Sequence, residues 1–297
     1  MADSINNKVK LALNSANSTD TANHFNPLSG AIDSGKNLQE IYSKKKEPEI
    51  KEEINDQSQS QQIIKFKLYQ KLFAELFGTA ILLYGCCLAP VLFKDKLYVG
   101  VISSSFTVLY LVYCFVNISG AHFNPAVSLA LFLNGAITLK EFFLYMIVQT
   151  IGAFIGCCCI ALSRKGRFDE LNATKIQDNL INVNGGTKID IWCYISCLFT
   201  EIFCTFILNL FVLAIGEKYN KLGINVGMAF GCALIALIFS ACGVSGASFN
   251  PVRSLAPAVL QAISGGDTKP IEQIWIYIIG PFTGAILSYF AWKIFKI

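Results

Sequence analysis

Long apolar runs separated by short polar breaks fill the chain from Phe66 to its end. Six of these runs have the length of about 20 residues that a helix needs to cross the hydrocarbon core of a membrane. They lie at residues 70–93, 98–117, 141–162, 190–215, 223–243 and 271–294. Lipid satisfies no backbone polar group, and none of the runs alternates as a barrel strand would. The pattern therefore predicts an all-α membrane protein with six transmembrane helices.

Two further apolar stretches are too short to span a membrane. They are Phe123–Leu133 and Phe249–Ile263, and their Asn-Pro pairs are Asn124-Pro125 and Asn250-Pro251. Asn is a favoured helix N-cap, and Pro is preorganised for the first helical position. Each pair therefore predicts the start of a re-entrant half-helix, over residues 124–133 and 250–262.

The polar segments divide the rest of the chain. Residues 1–64 are rich in Asn, Ser, Lys and Asp and are predicted to be a disordered tail. The longest loop, 163–189, contains the glycosylation sequon Asn172-Ala173-Thr174, which is usable only outside the cytoplasm. A short loop is predicted at Glu217–Lys221, and this loop and the tail are the two segments from which gating is expected.

An internal duplication relates the two halves of the chain. The sequence Ser-Gly-Ala-His-Phe-Asn-Pro at 119–125 recurs as Ser-Gly-Ala-Ser-Phe-Asn-Pro at 245–251, and the surroundings of Glu75 recur around Glu201 at the same offset of 126 residues. The first repeat covers residues 65–189 and the second residues 190–297. Each repeat has three spans, so the second enters the membrane from the opposite side. The result is an inverted repeat whose functional site lies at the repeat interface.

The two half-helices should then meet at mid-depth with their N-termini together. Their dipoles place partial positive charge at this point, which opposes cations and protons. The side-chain carbonyls of Asn124 and Asn250 can cap their own helices, which leaves the amide N–H groups free for the lumen. A water molecule that accepts hydrogen bonds from both amides cannot continue a proton-conducting chain. The predicted site passes neutral molecules and rejects charge.

Apart from charged residues at the ends of the spans, three charged residues lie within the apolar segments, where charge is costly and marks function. Arg253 follows Asn250 by about one helical turn and is assigned as a donor and charge filter; pairing with loop carbonyls is the structural alternative. Glu75 and Glu201 are expected to accept hydrogen bonds from the irregular backbone before each half-helix, with a proton relay as the alternative.

Composition excludes several classes of function. The chain is 54% hydrophobic and 15% charged, against about 25% charged in soluble domains. A net charge of +4 gives no case for nucleic acid. The eleven cysteines lie mainly in apolar runs, as small hydrophobic residues do, and form no metal-binding pattern with His. No nucleophile–base pair, metal cluster or phosphate loop is present, so we expect no enzymatic activity, no cofactor and no metal.

The motifs at 119–127 and 249–254, together with Ala-Glu-Leu-Phe-Gly-Thr at 74–79 and Gly-Pro-Phe at 280–282, resemble the aquaporin, or major intrinsic protein, family over about residues 68–295. The resemblance implies six tilted helices plus two half-helices, assembled as a homotetramer with one pore per subunit. It also implies passive water conduction and cytoplasmic termini, with the 163–189 loop outside. The plasma membrane is the expected location, and an internal vacuolar membrane is the alternative.

By spacing from these motifs, the narrow filter of the family falls on four residues, Ser104, Ile238, Ala247 and Arg253. Water-strict members usually carry an aromatic residue at the first position and His at the second. Ser104 and Ile238 therefore imply a wider and less polar constriction, as in solute-permissive plant members. Ser254 instead favours water, because glycerol facilitators typically have Asp there. The filter signals are mixed.

Four functions therefore remain in competition. Passive water flux leads, followed by a channel that also passes glycerol, urea or other small neutral solutes. A secondary transporter can also use inverted repeats, but the last three spans show no mid-depth carboxylate beyond Glu201. The fourth hypothesis is a junctional or structural membrane protein with a collapsed pore.

Overall fold

The computed structural model describes residues 66–94, 96–177, 189–222 and 225–296. The predicted tail at 1–64 and residues 178–188 of the long loop lie outside the described residues. Within them the regular structure is entirely helical.

The described chain forms nine helices. They are α1 (Leu68–Leu92), α2 (Leu97–Ser119), α3 (Pro125–Leu133), α4 (Leu139–Ser163), α5 (Ile191–Leu222), α6 (Asn225–Ala241), α7 (Pro251–Ile263), α8 (Lys269–Glu272) and α9 (Ile274–Phe295). Five of them, α1, α2, α4, α5 and α9, are long and apolar enough to cross a membrane. The sixth predicted span corresponds to α6, which is apolar and 17 residues long as described. The two half-helices predicted from the Asn-Pro pairs are α3 and α7.

The predicted loop at Glu217–Lys221 is wrong, because these residues continue α5 to Leu222. Gly216 does not end the helix, and the polar residues that follow are compatible with helical backbone. The apolar part of α5 ends at Gly216, so the helix outruns its membrane-spanning segment by about one and a half turns.

The two repeats pack in the same way. Helix α1 lies against α4, and α5 lies against α9. Glycines allow both crossings: a Cβ at Gly152 would lie 2.4 Å from the carbonyl oxygen of Leu76, and one at Gly284 would lie 2.5 Å from that of Ile202. Leu76 and Ile202 are 126 residues apart, so the crossings are equivalent.

The outer surface of the helices is apolar. Phe73 and Phe77 on α1 stack at 6.2 Å between ring centroids, and their equivalents on α5, Phe199 and Phe203, stack at 5.6 Å. All four rings are about half exposed or more. Fully buried positions, by contrast, include carboxylate, amide and hydroxyl side chains. Apolar groups outside and polar groups inside are the arrangement expected of a protein whose solvent is lipid.

Candidate functional site

The N-termini of the half-helices α3 and α7 meet inside the bundle. Asn124 Oδ1 accepts a hydrogen bond from Ala126 N at 2.8 Å, and Asn250 Oδ1 accepts from Val252 N at 3.2 Å. Each Asn therefore caps its own helix, and Pro125 and Pro251 occupy the first helical positions.

The side-chain amides of the two Asn residues cross between the repeats. Asn124 Nδ2 donates to the carbonyl oxygen of Phe249 at 2.8 Å, and Asn250 Nδ2 donates to that of Phe123 at 2.9 Å. The expectation that both amide N–H groups are free is therefore wrong for one hydrogen of each amide. An NH₂ group has two donors, so one remains for a molecule in the lumen. The crossed pair fixes the two half-helices head to head.

A buried carboxylate braces the backbone that leads into each half-helix. Glu75 Oε1 accepts from His122 N at 3.0 Å, and its Oε2 accepts from Phe123 N at 2.7 Å. Glu201 makes the equivalent bonds to Ser248 N at 3.0 Å and Phe249 N at 2.8 Å. Both carboxylates are fully buried. Because both oxygens of each group already accept backbone N–H bonds, the geometry favours the bracing role over a proton relay.

The braced backbone is strained in the same way in both repeats. Ala121 and Phe123 have φ values of 52° and 50°, and Ala247 and Phe249 have 53° and 54°. Non-glycine residues with positive φ cost about 1–3 kcal/mol each and persist only where the surroundings enforce them. The strain turns the carbonyls of Phe123 and Phe249 toward the opposite Asn amide.

The two repeats differ in the polar groups behind each half-helix. In the first, Ser128 Oγ lies 3.0 Å from His122 Nδ1 and accepts from Gln149 Nε2 at 3.0 Å. In the second, Ser254 takes the place of Ser128, and its Oγ lies 2.5 Å from that of Ser248. His122 is thus packed and hydrogen-bonded. Gln149 is a site residue that sequence reasoning missed, because that reasoning considered charged residues in the spans and not buried amides.

Arg253 extends from the first turn of α7 and is largely buried. Its Nη1 donates to the backbone carbonyl of Asn172 at 3.0 Å. The alternative of pairing with a loop carbonyl is therefore observed for one N–H group of Arg253. The guanidinium has further N–H groups, so the predicted donor role is compatible with this pairing.

The other three predicted filter residues fall into two groups. Ile238 packs against the apolar cluster that contains Ala247. Ser104 lies beside the thiol of Cys86, which lies within electrostatic reach of Arg253. Cys86 was missed as a neighbour of the filter, since one thiol among eleven gives no signal in the sequence. Val252, which follows the second Asn-Pro pair, is buried in a cluster with Phe123.

The sequon Asn172-Ala173-Thr174 contacts Arg253 and its neighbour Ser254. Thr174 is 3% exposed, and its Oγ1 hydrogen-bonds with Ser254 Oγ at 2.5 Å. The Asn172 side chain lies beside the buried thiol of Cys87. Both polar side chains of the sequon thus face the protein interior, which argues against glycosylation of the folded chain.

Ion pairs hold the loop that carries this sequon. Lys175 Nζ lies 2.6 Å from Asp267 Oδ2, and Glu170 pairs with both Lys94 and Arg164. Burial opposes the charged form of Asp267, but hydrogen bonds from Lys175 and a backbone N–H outweigh it, so the pKa of this carboxyl lies below its ordinary value. Asp267 therefore stays charged at neutral pH.

The sequence matches the family model described as Major intrinsic protein over residues 62–292. The chain belongs to the major intrinsic protein family. It is 31% identical over 251 residues to Aquaporin NIP1-1 of Zea mays, an alignment that covers 83% of this chain and 82% of the relative. It is 29% identical to Glycerol uptake facilitator protein-like 6 of Lactiplantibacillus plantarum, over 76% of this chain and 97% of that one.

A solved structure shows the same fold. The aquaglyceroporin from Plasmodium falciparum superposes with a TM-score of 0.64 at 20% sequence identity, covering 77% of this chain and 97% of that structure. The match supports six spanning helices with two re-entrant half-helices, although α6 is short as described. The protein is thus a multi-pass membrane channel of the major intrinsic protein family, and not an enzyme.

Proposed function

We propose that this channel conducts water passively and also passes small neutral solutes such as glycerol or urea. The observation that carries the proposal is the head-to-head pair of half-helices, each capped by an Asn whose amide keeps one donor free. Neutral hydrogen-bonding molecules fit such a point, because they can accept from these donors without the loss of hydration that an ion would suffer.

Charge exclusion follows from the same geometry. Two helix N-termini place their positive dipole ends together, and Arg253 adds a full positive charge one turn away. The amides of Asn124 and Asn250 donate to the oxygen of a passing water molecule. That oxygen then cannot accept a hydrogen bond from the next water, which interrupts proton transfer along the row of waters in the pore. In this mechanism Glu75 and Glu201 hold the half-helices and take no part in conduction.

The filter residues support the wider permeability. Ser104 and Ile238 are small or apolar where water-strict relatives have an aromatic residue and His, and one similar protein is named a glycerol uptake facilitator. Ser254 favours water over glycerol, because glycerol facilitators typically have Asp at this position. We therefore expect water to pass faster than glycerol. Assembly as a homotetramer, cytoplasmic termini and residence in the plasma membrane or a vacuolar membrane are part of this proposal.

Proteoliposomes with the full chain test both parts. After osmotic shock, light scattering gives the water permeability in sucrose and the solute permeability from re-swelling in glycerol or urea. Water permeability no higher than that of empty liposomes would overturn the channel proposal, and secondary transport or a structural role would then take its place.

A matched variant tests the filter. The double substitution S104F/I238H installs the residue types of water-strict relatives. It should abolish re-swelling in glycerol while water permeability is largely kept. Glycerol permeability that is absent from the parent would refute the solute part alone. Glycerol permeability that is unchanged in the double variant would refute the assignment of Ser104 and Ile238 to the filter.

A further inference from the structure

Residues 171–176 of the long loop are fixed against the second half-helix at one end and against Gln273, at the start of α9, at the other. Leu171 N donates to Gln261 Oε1 at 3.1 Å, and Ile176 N donates to Gln273 Oε1 at 2.8 Å. The side chains of Leu171 and Ile176 are buried. Between these two anchors lies the tripeptide Asn172-Ala173-Thr174, so its position relative to α7 is set by contacts on both sides.

Asn172 holds a conformation that aims its carbonyl at the filter. Its φ is +55°, a left-handed value that Asn tolerates better than most residues and that β-branched residues tolerate poorly. Its side chain lies beside the thiol of Cys87, which is fully buried. Its carbonyl oxygen accepts from Arg253 Nη1 at 3.0 Å. The backbone conformation of Asn172 thus fixes the acceptor that orients the guanidinium.

Thr174 starts a chain of buried hydroxyls that reaches the second Asn-Pro turn. Its Oγ1 lies 2.5 Å from Ser254 Oγ, which lies 2.5 Å from Ser248 Oγ. Ser248 Oγ in turn donates to the carbonyl of Asn250 at 2.9 Å. The loop is therefore linked by hydrogen bonds to the residue that caps α7.

The first repeat shows why a loop residue is needed here. Its Ser128 receives a hydrogen bond from Gln149 on α4. The equivalent of Gln149 on α9, at the 132-residue offset that relates Gly152 to Gly284, is Pro281, which has no side-chain donor. Thr174 supplies to Ser254 the partner that the helix cannot. The Thr174 hydroxyl thus takes the place of the Gln149 amide of the first repeat. This role is independent of Thr174 being part of a glycosylation sequon.

We propose that Asn172 and Thr174 are positioning residues of the selectivity filter, with Asn172 acting through Arg253 and Thr174 through Ser254. The formal glycosylation sequon thus supports the filter. This inference rests on the proposed channel function and adds the residues that set its selectivity.

Two matched pairs of variants test the inference in proteoliposomes, with protein made in bacteria so that no N-glycan is attached. Thr174→Val removes the hydroxyl at nearly constant volume, whereas Thr174→Ser keeps it. The valine variant should change the ratio of glycerol to water permeability by about fivefold, the factor that one ordinary hydrogen bond represents. The serine variant should match the parent. Equal ratios in the valine variant and the parent would overturn the role of Thr174.

Asn172→Gly keeps the carbonyl and accepts positive φ, whereas Asn172→Val does not accept it without strain. The valine variant should raise proton leak more than the glycine variant does. Combining Asn172→Val with Arg253→Val should add nothing to the leak of Arg253→Val alone, because the two residues act as one unit. Additive leaks would show that Asn172 does not act through Arg253.

A last measurement does not depend on how the variants fold. When the parent is made in a eukaryotic host, mass spectrometry should find Asn172 unmodified in the folded, conducting protein, and a glycan on that fraction would overturn the proposal. A parent that conducts nothing would refute the channel function itself. A conducting parent whose selectivity and leak are unmoved by all four single variants would refute only this inference.

Discussion

The substitution Glu201→Gln tests whether the buried carboxylates hold the half-helices in place. Glu201 Oε1 accepts from Ser245 Oγ at 2.7 Å and from Ser248 N at 3.0 Å, and Oε2 accepts from Phe249 N at 2.8 Å. An amide offers one oxygen in place of two. In either orientation its NH₂ group faces a buried backbone N–H, which loses its acceptor and meets another donor.

The cost can be worked from this geometry. A buried hydrogen bond to a charged group contributes about 1.5–3 kcal/mol, and the remaining bonds to Glu201 also weaken when the charge is lost. About 2 kcal/mol in a chain of this size corresponds to a fall in melting temperature of roughly 4 to 8 °C. The strained φ values of Ala247 and Phe249 then lose part of what enforces them. The carbonyl of Phe249 moves away from the Asn124 amide, so water permeability should fall as well.

Thermal unfolding in detergent and osmotic permeability in liposomes measure the two effects. Glu272→Gln is the control: Glu272 is exposed and accepts from Thr268 Oγ1 at 2.8 Å, so its loss should cost less than about 0.5 kcal/mol. The bracing argument fails if Glu201→Gln unfolds at the same temperature as Glu272→Gln and conducts water equally well.

Three further substitutions examine the rest of the site and its frame. Gly152→Ala places a Cβ against a backbone carbonyl of α1 and should destabilise the protein by about 1–3 kcal/mol. Gly216→Ala should not, because among the described residues an added Cβ there meets no atom within 4 Å outside its own stretch of helix. Equal melting temperatures for the two variants would contradict the close crossing. Asn124→Asp sets a carboxylate oxygen against the carbonyl of Phe249, so it should lower water permeability and admit cations. Conductance in planar bilayers would show the cation current. An unchanged water permeability would count against the crossed bonds. Arg253→Val should raise proton leak, measured with a pH dye inside liposomes, and a leak equal to that of the parent would remove its role as a charge filter.

Much of the fold could be predicted from the sequence because its determinants are local. A membrane span is fixed by the length of an apolar run, and the start of a half-helix by Asn as cap and Pro at the first position. The repeat at 126 residues then placed Asn124 opposite Asn250 and Glu75 opposite Glu201. Loop and helix were confused at Glu217–Lys221 because polar residues beyond the hydrocarbon suit both.

The tertiary structure alone decided how the two halves are joined and how the filter is held. The amide of Asn124 bonds to Phe249, Arg253 bonds to the carbonyl of Asn172, and Gln149 bonds to Ser128. The first two contacts join residues far apart in the chain and use backbone carbonyls, which every residue carries. Residue pattern cannot distinguish one carbonyl from another. Which carbonyl turns toward the pore depends on strained backbone angles that only the surrounding packing enforces.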